Sequence, residues 1–397
     1  MQEILRAQYL SELDSWRDNP DLMKVILGAR RSGKSVIMEQ FVKKIISSGV
    51  NKKDVVYINF ESSDYDDISS YRDLNQYIAG KIRKGKRTYV FLDEVQKVKG
   101  WEHTVNSLMV DYDADVYITG SNAYLLSSEL STYISGRYVE IPVFPFSFKE
   151  FLEGHPPTHD TDRNARFQQY LSIGGIPLTD PDRDDRYNSM ILEGIYNTVL
   201  VKDSATRMGI RDLSGLDRIA RFLMDNTGNL TNIDNIARST GLTKITVEKY
   251  IRILTESFLF YKVNRFDVVG KKLLRTHEKY YPVDTGLARA VLDRGVSDTS
   301  RPLENAVFIE LIRRGYRVRV GSFRDREVDF TAEKNGKTEY YQVCLSMLDD
   351  RTFDREIRSL KSIDDNYPKT ILSLDPIVRD APDGLIHRNV VEWMLDD

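Results

Sequence analysis

Residues 28–35 read Gly28-Ala29-Arg30-Arg31-Ser32-Gly33-Lys34-Ser35, two glycines with four residues between them, then a lysine and a hydroxyl. A loop of this kind turns successive backbone N–H groups inward around an anion the size of a phosphate. Gly28 and Gly33 are expected to supply the backbone angles and Lys34 to reach the β- and γ-phosphates of a nucleoside triphosphate. Ser35 is expected to ligate Mg²⁺, with Val36 the last residue beside the nucleotide. Arg30 and Arg31 read as projecting from the loop, toward solvent or a partner. About 60 residues further on, the apolar run Thr88-Tyr89-Val90-Phe91-Leu92 ends in Asp93-Glu94. Asp93 is suited to hold the Mg²⁺ shell and Glu94 to polarise a water for in-line attack on the γ-phosphate. An Asp-Glu pair means little alone; behind a phosphate loop it points to ATP hydrolysis with Mg²⁺ as cofactor.

These side chains need a frame. Lys24-Val25-Ile26-Leu27 reads as a buried strand before the loop, and the residues after Ser35 carry apolar side chains at helical spacing, so the loop joins strand to helix. Residues 55–60 and 115–119 are short apolar runs that read as further parallel strands, and 138–141 as a fifth. The run at 115–119 leads into Gly120-Ser121-Asn122. A polar residue there could sense the γ-phosphate, with Asn122 the first candidate and Ser121 and Thr119 behind it; the alternative is a simple strand-ending turn that caps a helix. Arg137, in Ser135-Gly136-Arg137 before the fifth strand, could serve as an arginine finger in a neighbouring subunit's site or be a surface ion-pair partner.

The chain has 397 residues, 41% hydrophobic and 29% charged, a balance that excludes a disordered chain and suits two or three folding units. No apolar run approaches the roughly 18 residues of a membrane span, and the first residues lack a secretory signal, so a cytoplasmic protein with no membrane partner is expected. A lone cysteine, Cys344, excludes an internal disulfide or a multi-cysteine zinc site. The formal net charge of −3 leaves nucleic acid open, because basic residues cluster locally at Lys81–Arg87 and at Arg313, Arg314, Arg317, Arg319, Arg324 and Arg326.

The combination of the phosphate loop, residues 91–102 (Phe-Leu-Asp-Glu-Val-Gln-Lys-Val-Lys-Gly-Trp-Glu), Thr119-Gly-Ser-Asn-Ala123 and residues 135–151 resembles the prokaryotic AAA+ ATPases that carry a C-terminal domain of unknown function. The similarity spans nearly the whole chain. It implies an α/β AAA+ core with a parallel sheet over 1–150, a helical and winged-helix segment over 151–270, and a nuclease-like α/β domain over 271–397. It also implies a homo-oligomeric ring, with a hexamer favoured.

In the middle segment, Leu230 to Leu254 reads as a helix near 232–239, a turn holding Gly241 and a second helix from Lys244, a helix-turn-helix, and the residues from Phe258 alternate like the first strand of a wing. Thr243, Lys244, Thr246, Lys249 and Arg252 would meet DNA if the second helix enters a groove; a lid or protein-contact role is the alternative. In the tail, Glu304 on a helix, Asp329 on one strand and Gln342 and Cys344 on the next follow the order in which PD-(D/E)xK nucleases assemble their Mg²⁺ site. Gln342 stands where a carboxylate is needed and Cys344 where a lysine is, so this reads as a nuclease fold kept for binding or assembly. The function expected is an ATP-dependent DNA-binding motor or remodeller that hydrolyses ATP in a homo-oligomeric ring, with branched DNA among its candidate substrates. A nucleotide-controlled switch working through protein partners and an ATPase-controlled nuclease stand as alternatives.

Overall fold

The computed structural model describes residues 4–126, 136–157, 159, 163–206, 209–292, 299–323, 326–382 and 384–396. Ser135 of the Ser-Gly-Arg stretch and Arg324 of the second basic cluster lie outside the described residues. The chain forms two compact units, Met1–Val143 with Glu256–Phe258, and Phe144–Thr255 with Leu259–Asp397.

The first unit contains, in chain order, α1 (Ala7–Ser15), β1 (Met23–Gly28), α2 (Lys34–Ser47), β2 (Val55–Asn59), α3 (Tyr71–Ala79), β3 (Thr88–Asp93), α4 (Trp101–Asp111), β4 (Ala114–Gly120) and β5 (Tyr138–Val143). Its sheet is parallel throughout, in the order β2-β3-β4-β1-β5. Every residue of β1, β3 and β4 is buried, as a parallel sheet with helices on both faces requires. Side chains alternate between those faces. Ile26, Phe91 and Tyr117 pack with Leu10 and Leu13 of α1 and Ile37 and Phe41 of α2, whereas Val25, Leu27, Val90 and Ile118 pack with Leu74 of α3 and Val105 of α4. Strand β4 is inserted between β1 and β3, so the carboxyl ends at Gly28, Gly120 and Asp93 stand side by side. That end is where ligands bind in open α/β sheets.

The second unit holds α5 (Phe148–Gly154), α6 (Arg163–Ile173), α7 (Asp185–Thr198, continued by a π-helical stretch Val199–Thr206), α8 (Leu213–Asp225), α9 (Ile233–Thr240) and α10 (Lys244–Glu256). There follow the hairpin β6 (Phe260–Asp267) and β7 (Lys272–Pro282), α11 (Thr285–Leu292), α12 (Ser300–Arg313), β8 (Arg317–Phe323), β9 (Arg326–Lys334), β10 (Lys337–Val343), α13 (Asp350–Lys361), β11 (Lys369–Ser373), β12 (Ile386–Asn389) and α14 (Val390–Leu395). Asn232 caps α9 by accepting the Asn235 N–H at 2.8 Å, and Gly241, at φ +70°, ends it in the left-handed conformation that glycine tolerates.

The sheet of this unit is mixed, in the order β12-β11-β10-β9-β8-β6-β7. Residue 270, the expected boundary between the middle and the tail, falls in the turn between β6 and β7. Those strands pair with each other, and β6 pairs in parallel with β8, so one hydrogen-bonded sheet runs across that boundary. Main-chain pairing is decided by which strands meet in space, and no local pattern around residue 270 announces it.

Candidate nucleotide site

The loop between β1 and α2 turns at Arg31 (φ +64°) and Gly33 (φ +96°), where α2 begins without a side-chain cap. Gly28 has a different task from the one its sequence position suggested. It pairs with Val143 of β5, and a Cβ on it would lie 2.1 Å from the Val143 carbonyl oxygen. Close strand approach, not a turn, requires glycine there. The Ser32 N–H donates to the Ala29 carbonyl at 3.2 Å, and the buried Arg6 guanidinium donates to the Ser32 carbonyl at 3.0 Å, holding the loop from behind.

Lys34 is 5% exposed, and its ammonium donates to the carbonyl oxygens of Gly28 at 3.1 Å and Ala29 at 2.9 Å. These are neutral acceptors of the loop itself, and the ammonium also acts on the Asp93 charge. The Ser32 hydroxyl is buried and has no hydrogen-bond partner among the described residues. An uncapped helix start, an orphaned buried hydroxyl and an ammonium resting on neutral oxygens together suit a bound polyphosphate, whose anionic oxygens would satisfy all three. Arg30 faces Glu61 at 3.7 Å, and Arg31 and Val36 are exposed.

Asp93 is fully buried, and Tyr57 donates to its Oδ2 at 3.4 Å while Thr119 donates to Oδ1. Burial pushes this carboxyl above its ordinary range, against hydrogen bonds from Thr119 and Ser35 that pull it down. The two residues expected to hold Mg²⁺, Ser35 and Asp93, are thus in contact. Thr119 does more than the strand-end position implied: its Oγ1 also accepts the Glu94 N–H at 2.9 Å, so one hydroxyl fixes both acids of the pair. Glu94 adopts a left-handed backbone (φ +55°), and its carboxylate accepts from Gln96 Nε2 and, at 3.4 Å, from Ser121 Oγ. Of the three candidate sensors, Thr119 and Ser121 touch the acids, while Asn122 is buried in the turn that follows β4.

Arg137 stands just before β5, whose first residue pairs with Met23 at the start of β1. It is therefore at the end of the sheet opposite Gly28, away from the phosphate loop of its own chain. Its guanidinium donates to Asn106 of α4 at 2.9 Å.

In the second unit, Lys244, Lys249 and Arg252 lie exposed along α10, with Thr246 half-buried and its hydroxyl 2.9 Å from that of Thr243. Lys244 is paired with Asp234 of α9 at 2.5 Å. The Arg313–Arg326 cluster is only partly a basic surface: Arg317 and Arg326 are exposed, while Arg313, Arg314 and Arg319 are taken up by acids. Arg313 binds Glu310 and the Pro145 carbonyl, Arg314 binds Glu310 at 2.8 Å and the Trp393 carbonyl at 2.7 Å, and Arg319 binds Glu333 at 3.0 Å. Arg326 donates to the Arg358 carbonyl at 2.9 Å.

Glu304 on α12, Asp329 on β9 and Gln342 on β10 do come together, and Cys344 is buried just past β10. Three partners in this cluster were not foreseen: Lys279 and Tyr281 of β7, and Glu327 of β9. Lys279 reaches Glu304 at 2.9 Å and Glu327 at 2.7 Å, and Tyr281 donates to Glu304 at 2.6 Å. The run Lys279-Tyr280-Tyr281 carried no signal for this role.

A phosphate loop between β1 and α2, an Asp-Glu pair on β3 and a strand inserted between them define an AAA+-type P-loop ATPase domain. Residues 21–152 match the family described as AAA domain, and residues 164–298 match a domain of unknown function (DUF8612). An uncharacterized protein of Haemophilus influenzae is 37% identical over 403 residues, covering 99% of this chain and 98% of that protein. The chain belongs to the family of that protein, an AAA+ ATPase family. The uncharacterized protein MJ1544 of Methanocaldococcus jannaschii is 29% identical over 357 residues, 86% of this chain and 78% of that one. The structure of AMPPCP-bound DnaA from Aquifex aeolicus covers 64% of this chain and 89% of its own at 15% identity, with a TM-score of 0.30, too low to bear on function. Among the described residues no helix is long and apolar enough to cross a membrane.

Proposed function

We propose that this protein hydrolyses ATP to drive binding and remodelling of DNA, branched DNA included, as a homo-oligomeric ring, a hexamer being favoured. The observation that carries the hydrolytic reading is the Thr119 hydroxyl held between the Asp93 carboxylate and the Glu94 N–H, beside a phosphate loop with an orphaned hydroxyl and an uncapped helix. In this reading Gly28 to Val36 hold the nucleotide, and Ser35 and Asp93 hold Mg²⁺. When bound, that ion neutralises charge on the phosphate oxygens. Lys34 leaves the loop carbonyls for anionic oxygens, and Glu94 orients and deprotonates the attacking water once its bonds to Gln96 and Ser121 are exchanged. Thr119 and Ser121 join Asn122 as sensor residues, since they touch the acids directly.

The ring reading rests on Arg137, which stands at the end of the sheet opposite its own loop and would have to leave Asn106 to serve a neighbour's. The DNA reading rests on α9, its Gly241 turn and α10, followed by the β6–β7 hairpin, a winged-helix arrangement that leaves Thr243, Lys244, Thr246, Lys249 and Arg252 on or near the surface of the second helix. Thr231 just before α9 bridges Glu278 of β7, as the small sheet of a wing does. An AAA+ core over 1–150, a winged-helix middle over 151–270 and a nuclease-like tail over 271–397 describe the chain in these terms, with the middle and tail sharing a sheet.

The deciding experiment measures ATP turnover of the wild type and of Glu94→Gln with linear, single-stranded and forked DNA, together with native mass with and without ATP. The reading predicts several-fold stimulation by one of these DNAs, a larger mass with ATP, and nucleotide binding without turnover in Glu94→Gln. Turnover indifferent to every DNA form sinks the motor.

A further inference from the structure

We propose that the Lys279 ammonium takes the place of a divalent cation among Glu304, Glu327 and Asp329, so that the tail binds no catalytic metal and its acid cluster instead fastens the β6–β7 hairpin to α12 and β9. The inference rests on reading the tail as nuclease-like, because that fold is what would call for Mg²⁺ at these residues.

The geometry is that of a filled site. Lys279 is 3% exposed, and its ammonium lies 2.9 Å from Glu304 Oε1, 2.7 Å from Glu327 Oε1 and 3.9 Å from Asp329 Oδ1. An ammonium has three protons to give, and three carboxylates from two other elements face it. The remaining acceptor capacity is also committed. Glu304 Oε1 takes a second bond from the Tyr281 hydroxyl at 2.6 Å, and Asp329 Oδ2 accepts the Val343 N–H at 2.9 Å. Gln342, the amide in the second carboxylate's position, has its Oε1 turned to the Asp329 N–H at 3.3 Å. Mg²⁺ demands near-octahedral oxygen ligands at about 2.1 Å and keeps several waters. To enter here it would have to expel a buried ammonium from the acids that neutralise it, or sit within a few ångströms of that charge. Among the described residues, no group of three or more His, Cys, Asp or Glu is arranged to hold a metal ion.

A lysine recruited to activate water is the other use this residue could have. The burial of Lys279 and its direct pairing with two glutamates speak against that, since an activating lysine must face the open side where a phosphodiester arrives. What the cluster does accomplish is mechanical. Lys279 is on β7, the edge strand of the sheet, whereas Glu327 and Asp329 are on β9, with β6 and β8 between them in the sheet order. The ion pairs therefore connect strands that the backbone ladder does not pair, and with Glu304 they bind α12 to both. The hairpin that follows the helix-turn-helix is in this way locked to the tail, and the two respond as one body.

The test uses the full chain without nucleotide. Mn²⁺ is titrated into the wild type and Asp329→Asn, followed by calorimetry and by thermal unfolding, and plasmid cleavage is assayed in parallel. Indistinguishable titrations and no Asp329-dependent cleavage are expected; a Mn²⁺ site or a cleavage activity present in the wild type and lost in Asp329→Asn overturns the proposal. Lys279→Met is expected to lower the melting temperature by at least 5 °C or to prevent folding, and Lys279→Met combined with Glu327→Gln to recover at least half of that loss. An unchanged melting temperature in Lys279→Met overturns the fastening role. Because no ATP is present, failure of the motor reading leaves these outcomes untouched, and their failure leaves the motor reading untouched.

Discussion

Lys34 of the first unit and Lys279 of the second are both buried near acids, and they differ in what they are bonded to. Lys34 rests on two neutral carbonyl oxygens of its own loop, while Asp93 is served by hydroxyls from Thr119 and Tyr57. Lys279 is bonded to carboxylates outright. The loop carbonyls carry no net charge, so the Lys34 ammonium would gain by exchanging them for anionic oxygens, which suits the proposed polyphosphate site. A cation already neutralised has nothing to gain, and the second site is closed. Identical residue types thus give a reactive site or a clasp according to the partner each ammonium already has.

The sharpest way to break this contrast is to exchange the phenotypes of the two lysines. Lys34→Ala should reduce ATP turnover by at least ~100-fold, about 3 kcal/mol of lost stabilisation or more, with a nucleotide-free melting temperature within about 2 °C of wild type. Lys279→Met should do the reverse, costing about 3–5 kcal/mol of stability, as breaking a buried ion pair does. If denaturant titration finds the larger stability loss in Lys34→Ala, the contrast is wrong.

A further buried acid refines it. Asp284 accepts backbone N–H bonds from Gly175 at 2.7 Å and Gly286 at 2.9 Å, and burial lifts its carboxyl from 3.8 to about 6. Between those values the native state holds a proton that the unfolded chain has released. Its stabilising contribution is therefore complete below about pH 4 and is lost as pH rises through about 6. Relative to Asp284→Asn, the wild type should lose up to about 3 kcal/mol between pH 4 and 7. Parallel stability curves for the two proteins over that range would refute this.

Smaller effects follow from hydroxyl and thiol. Thr119→Val keeps the shape and removes the bond to both acids, and should slow turnover about 10-fold, near 1.4 kcal/mol, with nucleotide affinity within about 3-fold; Thr119→Ser should restore the rate. Cys344 stands where the tail's sequence calls for a lysine, and burial, with Glu356 and Asp375 nearby, pushes its thiol up to about 12. At pH 8 only about one thiol in 10⁴ is ionised, so a thiol reagent should leave the native chain unlabelled for hours and react at once in denaturant.

Much of the first unit is legible in one dimension. The five strands, the loop, Asp93 and Glu94 are local patterns: runs of apolar residues the length of a strand, with β1, β3 and β4 leading into the candidate site residues. The helix-turn-helix was legible for the same reason, since Asn232, Gly241 and the apolar spacing of α10 act within a few residues of one another. The basic run from Arg313 was legible only in part, because charge along the chain says nothing of the acids folded against Arg313, Arg314 and Arg319, here Glu310 and Glu333. Arg6 behind the loop and the close approach of Gly28 to Val143 depend on segments far apart in sequence, and nothing in their neighbourhoods marks them.

The sequence by itself pointed to the family, to the strands and helices of the first unit and to the candidate residues of the phosphate site, because hydrophobic period and motif spacing are short-range properties. Only the tertiary structure decided what each charge is paired with. It brought the Thr119 hydroxyl between two acids, sent Arg137 to the far end of the sheet and set Lys279 among three carboxylates from elements 25 to 50 residues away. Electrostatic energy depends on distance through space and on burial, and neither is written along the chain.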